Sequence, residues 1–336
     1  MAFVLHSDEK SRFYYGLETT FGTPLALSGT AYKELVIQKG QFIDLGLSKT
    51  NLNQNRASRV PTLVDQFHDN FSGPIGLQFE AYATRDRLRD LLHLVTQNRV
   101  SLGAGPAYQA LFRMHASQPD FTANAGAFAT MIWKSPETGK DIRLTSGVLR
   151  ELTISLDKQS IGESNLVKLS GLWLFKKYEI DQTFTGTAAA QDISQRFLSH
   201  AFNLNLSSLS IDSANCSRFS LTLRNNAVGI DRDTSGNPFT YFLTPDITSS
   251  MELWYTGSYV NAFTAASAGT TLGFTLSTGA NNVIGYFAIV ANGTITNTPI
   301  GTGGGQQRIP IELQLGNTTA AGTDGCDVTI ADGVAP

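Results

Sequence analysis

Apolar and polar side chains alternate along most of this chain. Segments 34–38 (ELVIQ), 75–82 (IGLQFEAY), 148–156 (VLRELTISL), 166–175 (LVKLSGLWLF), 202–211 (FNLNLSSLSI) and 218–224 (RFSLTLR) each set one apolar row against one polar row. The pattern returns at 250–255 (SMELWY), 272–276 (LGFTL), 283–290 (VIGYFAIV) and 308–315 (RIPIELQL). Neighbouring residues of a strand point to opposite faces, so this period predicts strands with one buried side. Many such strands divided by turn signals predict a mainly β fold, a sandwich or barrel. DKQSIGESN, residues 157–165, predicts the loop of a long hairpin.

One segment has a different period. In TRDRLRDLLHLVTQ, residues 84–97, Leu88, Leu91, Leu92 and Val95 fall at i, i+3, i+4 and i+7. That stripe predicts an amphipathic helix flanking the sheet. Thr84 is placed to cap it, and Arg85, Asp86, Arg89 and Asp90 are expected on its wet side. QDISQRFLSHAF, residues 191–202, is a weaker helical candidate.

Composition sharpens the β reading. Charged residues are 16% of the 336, against roughly 25% in average soluble chains. Many Thr, Gly and Phe suit short strands and turns. Low charge also fits a surface that faces other protein, although an ordinary neutral surface reads the same way. Only Arg308, Glu312, Asp324, Asp327 and Asp332 carry charge after Thr256. Strand signals continue across that point without a linker, so one β-domain over 16–316 is expected. Residues 1–15 and 317–336 flank it as arms, the second with a short strand, CDVTIA. The net charge of −3 offers no basic excess for holding nucleic acid. MAFVLHSDEK lacks the cationic start and apolar run of a signal peptide, and no run of 18 apolar residues predicts a membrane span. Synthesis in a cytoplasm is expected.

The sequence is chemically quiet. His6, His68, His93, His115 and His200 show no metal-ligand spacing. His68 and Asp69 are adjacent, which turns their side chains apart. There is no nucleophile elbow and no phosphate loop; GTGGGQQ, residues 301–307, precedes a strand, whereas a phosphate loop opens a helix. Cys216 and Cys326 are isolated, so neither a disulfide framework nor a zinc site is expected. No catalytic residue, metal or cofactor is expected. A structural or binding protein fits better than an enzyme.

YYGLETTFGTPLA, residues 14–26, resembles the opening of phage tail tube proteins, with Glu18, Phe21, Gly22 and Thr23 in the places of that family's Glu-x-x-Phe/Tyr-Gly-Thr stretch. Arg59-Val60-Pro61 and then SGPIGLQFEAYATRDRLRDLLHLV, residues 72–95, resemble its arginine-containing loop, Ser-Gly-led strand and short helix. LRELTISL with KLSGLWLF resembles its central strand pair. RFSLTLRNNAVGI, SSMELWYTGSY and RIPIELQLGNTTAAGTDGCDVTIA follow in the family's order. Residues 99–145 stand as an insertion outside the resemblance, and 256–300 match loosely. The resemblance implies a β-sandwich or barrel of the tail-tube type with one flanking helix and extended arms. It implies rings, commonly hexamers, stacked into a hollow conduit for DNA ejection in the virion tail. Partners would be further copies of the chain and other tail proteins: tape measure, terminator, baseplate or distal tail. DNA would pass the lumen without specific binding. A tail terminator, a head–tail connector, a contractile-tail inner tube and a carbohydrate-binding β-sandwich using Trp133, Trp173 or Trp254 are the alternatives.

NQNRASRVPTLVDQF, residues 53–67, fits neither strand nor helix, and a connection that long in a compact domain is uncommon without a function. On the tail-tube reading, residues 47–71 reach the next ring. Arg56 and Arg59 offer bidentate pairing, with Asp65 beside them. Val60, Leu63, Val64, Phe67 and Phe71 offer apolar anchors. The same residues could instead fold back as a satellite cluster on their own core.

Overall fold

The alternating segments form strands. The computed structural model describes residues 12–37, 43–44, 48–51, 66–69, 75–102, 108–114, 127–158, 165–206, 216–232, 238–242, 244–254, 259–298, 301–303, 306–316 and 325–333. β1 (Arg12–Leu17), β2 (Tyr32–Leu35) and the short β3 (Ile43–Asp44) come first. β4 (Ser48–Asn51) and β5 (Gln66–Asp69) precede β6 (Ile75–Tyr82) and helix α1 (Arg85–Thr96). β7 (Arg99–Leu102), β8 (Gln109–Phe112) and β9 (Ala129–Lys134) lead into the 17-residue β10 (Asp141–Asp157). Next are β11 (Lys168–Phe175), β12 (Lys177–Gln182), β13 (Ala188–Ala189), β14 (Asn203–Leu206), β15 (Cys216–Arg224), β16 (Ala227–Arg232), β17 (Pro238–Phe242) and β18 (Asp246–Trp254). The chain closes with α2 (Tyr259–Ala268), β19 (Thr271–Thr278), β20 (Phe287–Asn297), β21 (Gly301–Gly303), β22 (Gln306–Leu315) and β23 (Cys326–Ala331).

β10 belongs to two sheets. Its first part pairs with β9 and β12, and β9 continues through β1 and β2 to β13. Its second part pairs with β11 on one side and β15 on the other. From there the larger sheet runs through β11 to β6 and β3, and through β15 to β18, β22, β20, β19 and β14. β20 shares its second edge between β22 and β23, and β23 continues to β8 and β7. The two sheets curl into a closed barrel. A single bridge between Ile37 and Ala81 joins the end of β2 to β6 and shuts the ring β6–β11–β10–β9–β1–β2. The chain is thus mainly β, as the alternation predicts.

The core follows from the same period. On β15, Phe219, Leu221 and Leu223 are buried while Arg218, Ser220 and Thr222 face outward. Ile309, Ile311 and Leu313 of β22 and Met251 and Leu253 of β18 complete that layer. Burying each large aliphatic side chain stabilises by about 1.5–3 kcal/mol. Trp173 is fully buried and stacks on Phe175 at 5.8 Å. Gly171 lets β11 approach: an added Cβ would lie 2.6 Å from the Glu151 carbonyl oxygen and 2.6 Å from the Phe79 ring.

α1 presents Leu88, Leu91, Leu92 and Val95 to the core, as expected, and contacts β10, β8, β15 and β23. Of the side expected to be wet, Arg85 and Asp86 are half-buried, but Arg89 and Asp90 are buried, and so is Arg87, because β1, β2, β13 and the segment after β23 close over them. Thr84 occupies the N-cap position without capping: its hydroxyl donates to Asp86 Oδ1 at 2.7 Å instead. The helix candidate at 191–202 resolves into two 3-10 turns, Ile193–Gln195 and Ser199–Ala201. Bridges from Arg196 to Thr84 and from Leu198 to Leu166 hold that stretch extended between the turns. Strand β20 begins at Phe287, and residues 283–286 before it form a turn. The hairpin predicted around 157–165 joins β10 to β11.

The expected arms and the expected insertion within the β-domain are partly strand. Arg12–Leu17 of β1 lies in the smaller sheet, and CDVTIA forms β23 between β20 and β8. Residues 99–145 supply β7, β8, β9 and the start of β10.

Candidate functional site

Among the described residues no group of His, Cys, Asp or Glu is arranged to hold a metal ion. No described helix is long and apolar enough to cross a membrane. The features that bear on function are a fold corner, a buried charge network and two hairpins apart from the barrel sheets.

The corner lies where β10 leaves one sheet for the other. Ser146 sits there in the left-handed region, φ 52°, at an irregularity in the β9–β10 register. A non-glycine residue holds that conformation only where its surroundings fix it. Glu18 does so. Its Oε1 accepts from the Ser146 N–H at 2.8 Å and from the Thr130 hydroxyl at 2.7 Å, and its Oε2 accepts from the Ser146 hydroxyl at 2.9 Å. Gly22, φ +81°, donates its N–H to Ser146 Oγ at 2.7 Å. Phe21 meets Phe128 edge-on at 4.8 Å beneath Lys176 Nζ, 5.1 Å from its ring centre. The Glu18–Gly22 stretch is therefore a latch on the strand switch. Burial pushes the Glu18 carboxyl above its ordinary range, against the hydrogen bonds from Ser146 and Thr130 and the charge of Lys176.

The charge network lies on α1. Tyr15 donates to Asp90 Oδ2 at 2.8 Å, and Lys33 pairs with the same oxygen at 2.6 Å. Arg87 donates to the carbonyls of Glu34 at 2.6 Å and Ala189 at 2.7 Å. Arg89 meets both oxygens of Asp332 at 3.2 and 3.0 Å. Gln97 ends the helix with φ 58°, donates to the Leu94 and Ala127 carbonyls and accepts from the Ala127 N–H. Burial lowers the His93 pKa to about 4, with Arg99 adding to the effect. These contacts are structural in kind: all but the local Gln97–Leu94 bond tie the helix to a strand or segment distant in sequence.

β4 and β5 form a two-stranded sheet of their own, in the register Ser48↔Asp69, Lys49↔His68, Thr50↔Phe67 and Asn51↔Gln66. Phe67 therefore lies in β5 opposite Thr50. Arg56, Arg59, Val60, Leu63, Val64, Asp65 and Phe71 lie outside the described residues. β16 and β17 form a second separate pair. Its root is fixed by Asn225, whose side chain donates to the Val95 and Leu149 carbonyls and accepts from the Ala227 N–H.

The tryptophans do not form an exposed platform. Trp173 is in the core, Trp133 packs against it, and Trp254 lies under the Arg308 guanidinium at 4.6 Å.

No curated protein matches this chain. The family model described as phage tail tube protein matches residues 9–316. That match covers every strand of the two sheets except β23, together with the strand switch and α1, and on it the chain belongs to the phage tail tube protein family.

Proposed function

We propose that this chain is the repeating subunit of a phage tail tube in which rings, most simply hexamers, stack into a hollow conduit for DNA ejection. Family membership supports a structural subunit of the virion tail, self-assembly into a tube and association with other tail proteins. The observation that carries the stacking is the β4–β5 hairpin. Among the described residues it pairs with neither barrel sheet, and the sequence between its strands, residues 52–65, carries two arginines and several apolar side chains. Head-to-tail contacts whose rotation closes make rings, and those whose translation does not close make a filament. Arg56, Arg59 and Asp65 would pair with charges of the adjacent ring, and Val60, Leu63, Val64, Phe67 and Phe71 would anchor it. Tape measure, terminator and baseplate or distal tail proteins would meet the tube at its bore and ends.

The test is electron microscopy of the purified chain across a concentration series, with and without an added crowding agent. Hollow tubes or stacked rings are expected. A chain that stays monomeric throughout counts against the tube subunit and favours a terminator.

A further inference from the structure

One face of the larger sheet is polar across six adjacent strands, β6, β11, β10, β15, β18 and β22. Its middle is a field of short hydroxyls. Thr153, Thr222 and Thr248 align in one row, and Ser155, Ser220 and Ser250 in the next. They bond sideways to one another: Thr153 to Thr222 at 2.9 Å and Ser220 to Ser250 at 2.8 Å.

Ion pairs frame this field at both ends. Arg224 Nε meets Glu151 at 2.8 Å, and its Nη1 lies 3.5 Å from Asp246. At the other end Arg218 lies between Asp157 at 3.2 Å and Glu252 at 3.7 Å. Arg308 also pairs with Glu252 and covers Trp254. Every arginine of the face is thus engaged by carboxylates of the neighbouring strands. Glu80 and Glu312 add negative charge, and Lys168 adds one cation, so acidic groups exceed basic ones.

This is a surface built to be passed over. Binding to DNA draws on cations that replace the counterions of its phosphates. Here the guanidinium forks are already occupied, and the acidic surplus repels phosphate. It is equally poor as a contact between copies, which needs apolar anchors. The large apolar side chains exposed among the described residues lie elsewhere: Val36 just after β2, Val100 and Leu102 in β7, Ile180 in β12, Ile193 in a 3-10 turn, Phe263 in α2, Val283 and Ile284 in the turn before β20, and Val290 within it.

We propose that this hydroxyl face lines the bore of the tube and is the surface along which double-stranded DNA slides without being held. The assignment rests on the tube reading above.

Single-cysteine reporters test it. Thr222→Cys and Ser250→Cys place a thiol at the centre of the face with little change in volume. Cys216 and Cys326 are buried, and burial raises their thiols to about 11 and about 12, so they stay unlabelled. A minority of subunits carrying a maleimide-linked gold cluster is co-assembled with unlabelled wild-type chain and imaged in cross-section. Gold at the tube axis is the expected result. Gold at the outer wall overturns the proposal. Exclusion of labelled, folded subunits from tubes that the wild type forms also overturns it, since the face would then lie between copies. Failure of the unlabelled chain to form any tube strikes the tube reading itself.

A second variant reads charge. Tubes of Thr222→Lys with Ser250→Lys should retain short duplex DNA at low salt at least several-fold more than wild type, and release it as salt rises. Equal retention overturns the proposal.

Discussion

Glu18 and Ser146, 128 residues apart, meet through two hydrogen bonds, 2.8 Å from the Ser146 N–H and 2.9 Å from its hydroxyl. The pair holds β10 in the left-handed turn by which it changes sheets. Glu18→Ala leaves the Ser146 N–H and the Thr130 hydroxyl buried without their acceptor. Each such loss costs about 1–3 kcal/mol, so the variant should lose about 3 kcal/mol in urea unfolding. Glu18→Gln keeps one acceptor and should lose less. The pH dependence has a defined sign. Burial raises the folded carboxyl above its ordinary value of 4.5, so the folded chain binds this proton more tightly than the unfolded chain. The group's stabilising effect is complete below pH 4.5 and is lost as pH rises through the raised folded value. Glu18→Gln should lack that decline. Parallel curves for wild type and Gln variant would show that the carboxyl does not titrate as described.

The motif containing Glu18 is readable along the chain, but its partner is not. A hydrogen bond across that separation leaves no local period, and Ser146 looks like any polar residue in a strand. The apolar side of α1 is legible for the opposite reason: Leu88, Leu91, Leu92 and Val95 recur at helical spacing. Its polar side misleads, because the amphipathic pattern assumes water opposite the stripe. Instead Tyr15, Lys33, Ala189 and Asp332 arrive there from four distant segments. α2 carries no such stripe: YVNAFTAASA is mostly small residues, and the sequence gives little sign of it. Of the expected contact residues, only the strand position of Phe67 can be placed. The others lie outside the described residues, and on the proposed ring contact their partners would belong to another copy, which no local pattern along one chain reveals.

His93 should make the chain acid-sensitive. Its imidazole is largely buried, with Nδ1 lacking a hydrogen-bond partner among the described residues, and its pKa falls to about 4 from 6.5. The unfolded chain takes up this proton first as pH falls. Stability is therefore complete above pH 6.5, declines below it, and the loss is finished below about pH 4. The full loss is about 3 kcal/mol, from 1.36 kcal/mol per pH unit. His93→Leu should flatten the denaturation midpoint across that window. An unchanged slope would assign the acid sensitivity to other groups.

Arg89 and Asp332 tie α1 to the segment after β23, and both side chains are almost wholly buried. Removing one partner of such a pair strands the other charge, at about 3–5 kcal/mol. Asp332→Ala is harsher than an isolated deletion, since Arg99 lies near enough to Arg89 to be lowered by its charge. Replacing both, Arg89→Leu with Asp332→Ala, should recover most of the loss, because the desolvated charge goes with its partner. A double-mutant cycle in urea should give a coupling of at least about 2 kcal/mol. Additive effects would show that the pair does not act as a unit.

A shortened β4–β5 hairpin should separate folding from the proposed assembly. Asn51 and Gln66 form the last described pair of β4–β5, so a two-residue Asn-Gly turn can join them directly in the type I′ geometry that suits a hairpin. Substituting Asn-Gly for residues 52–65 removes Arg56, Arg59, Val60, Leu63, Val64 and Asp65 and keeps the paired base. Among the described residues neither strand pairs with the barrel sheets. Thermal unfolding of the monomer should therefore shift by no more than a few degrees, the scale of about 1 kcal/mol or less in a domain this large. Sedimentation and electron microscopy should show intact subunits or isolated rings and no tubes. If the variant assembles tubes of native length and stability, residues 52–65 do not join the rings. If instead the monomer itself loses several kcal/mol, those residues fold back on their own barrel and act there.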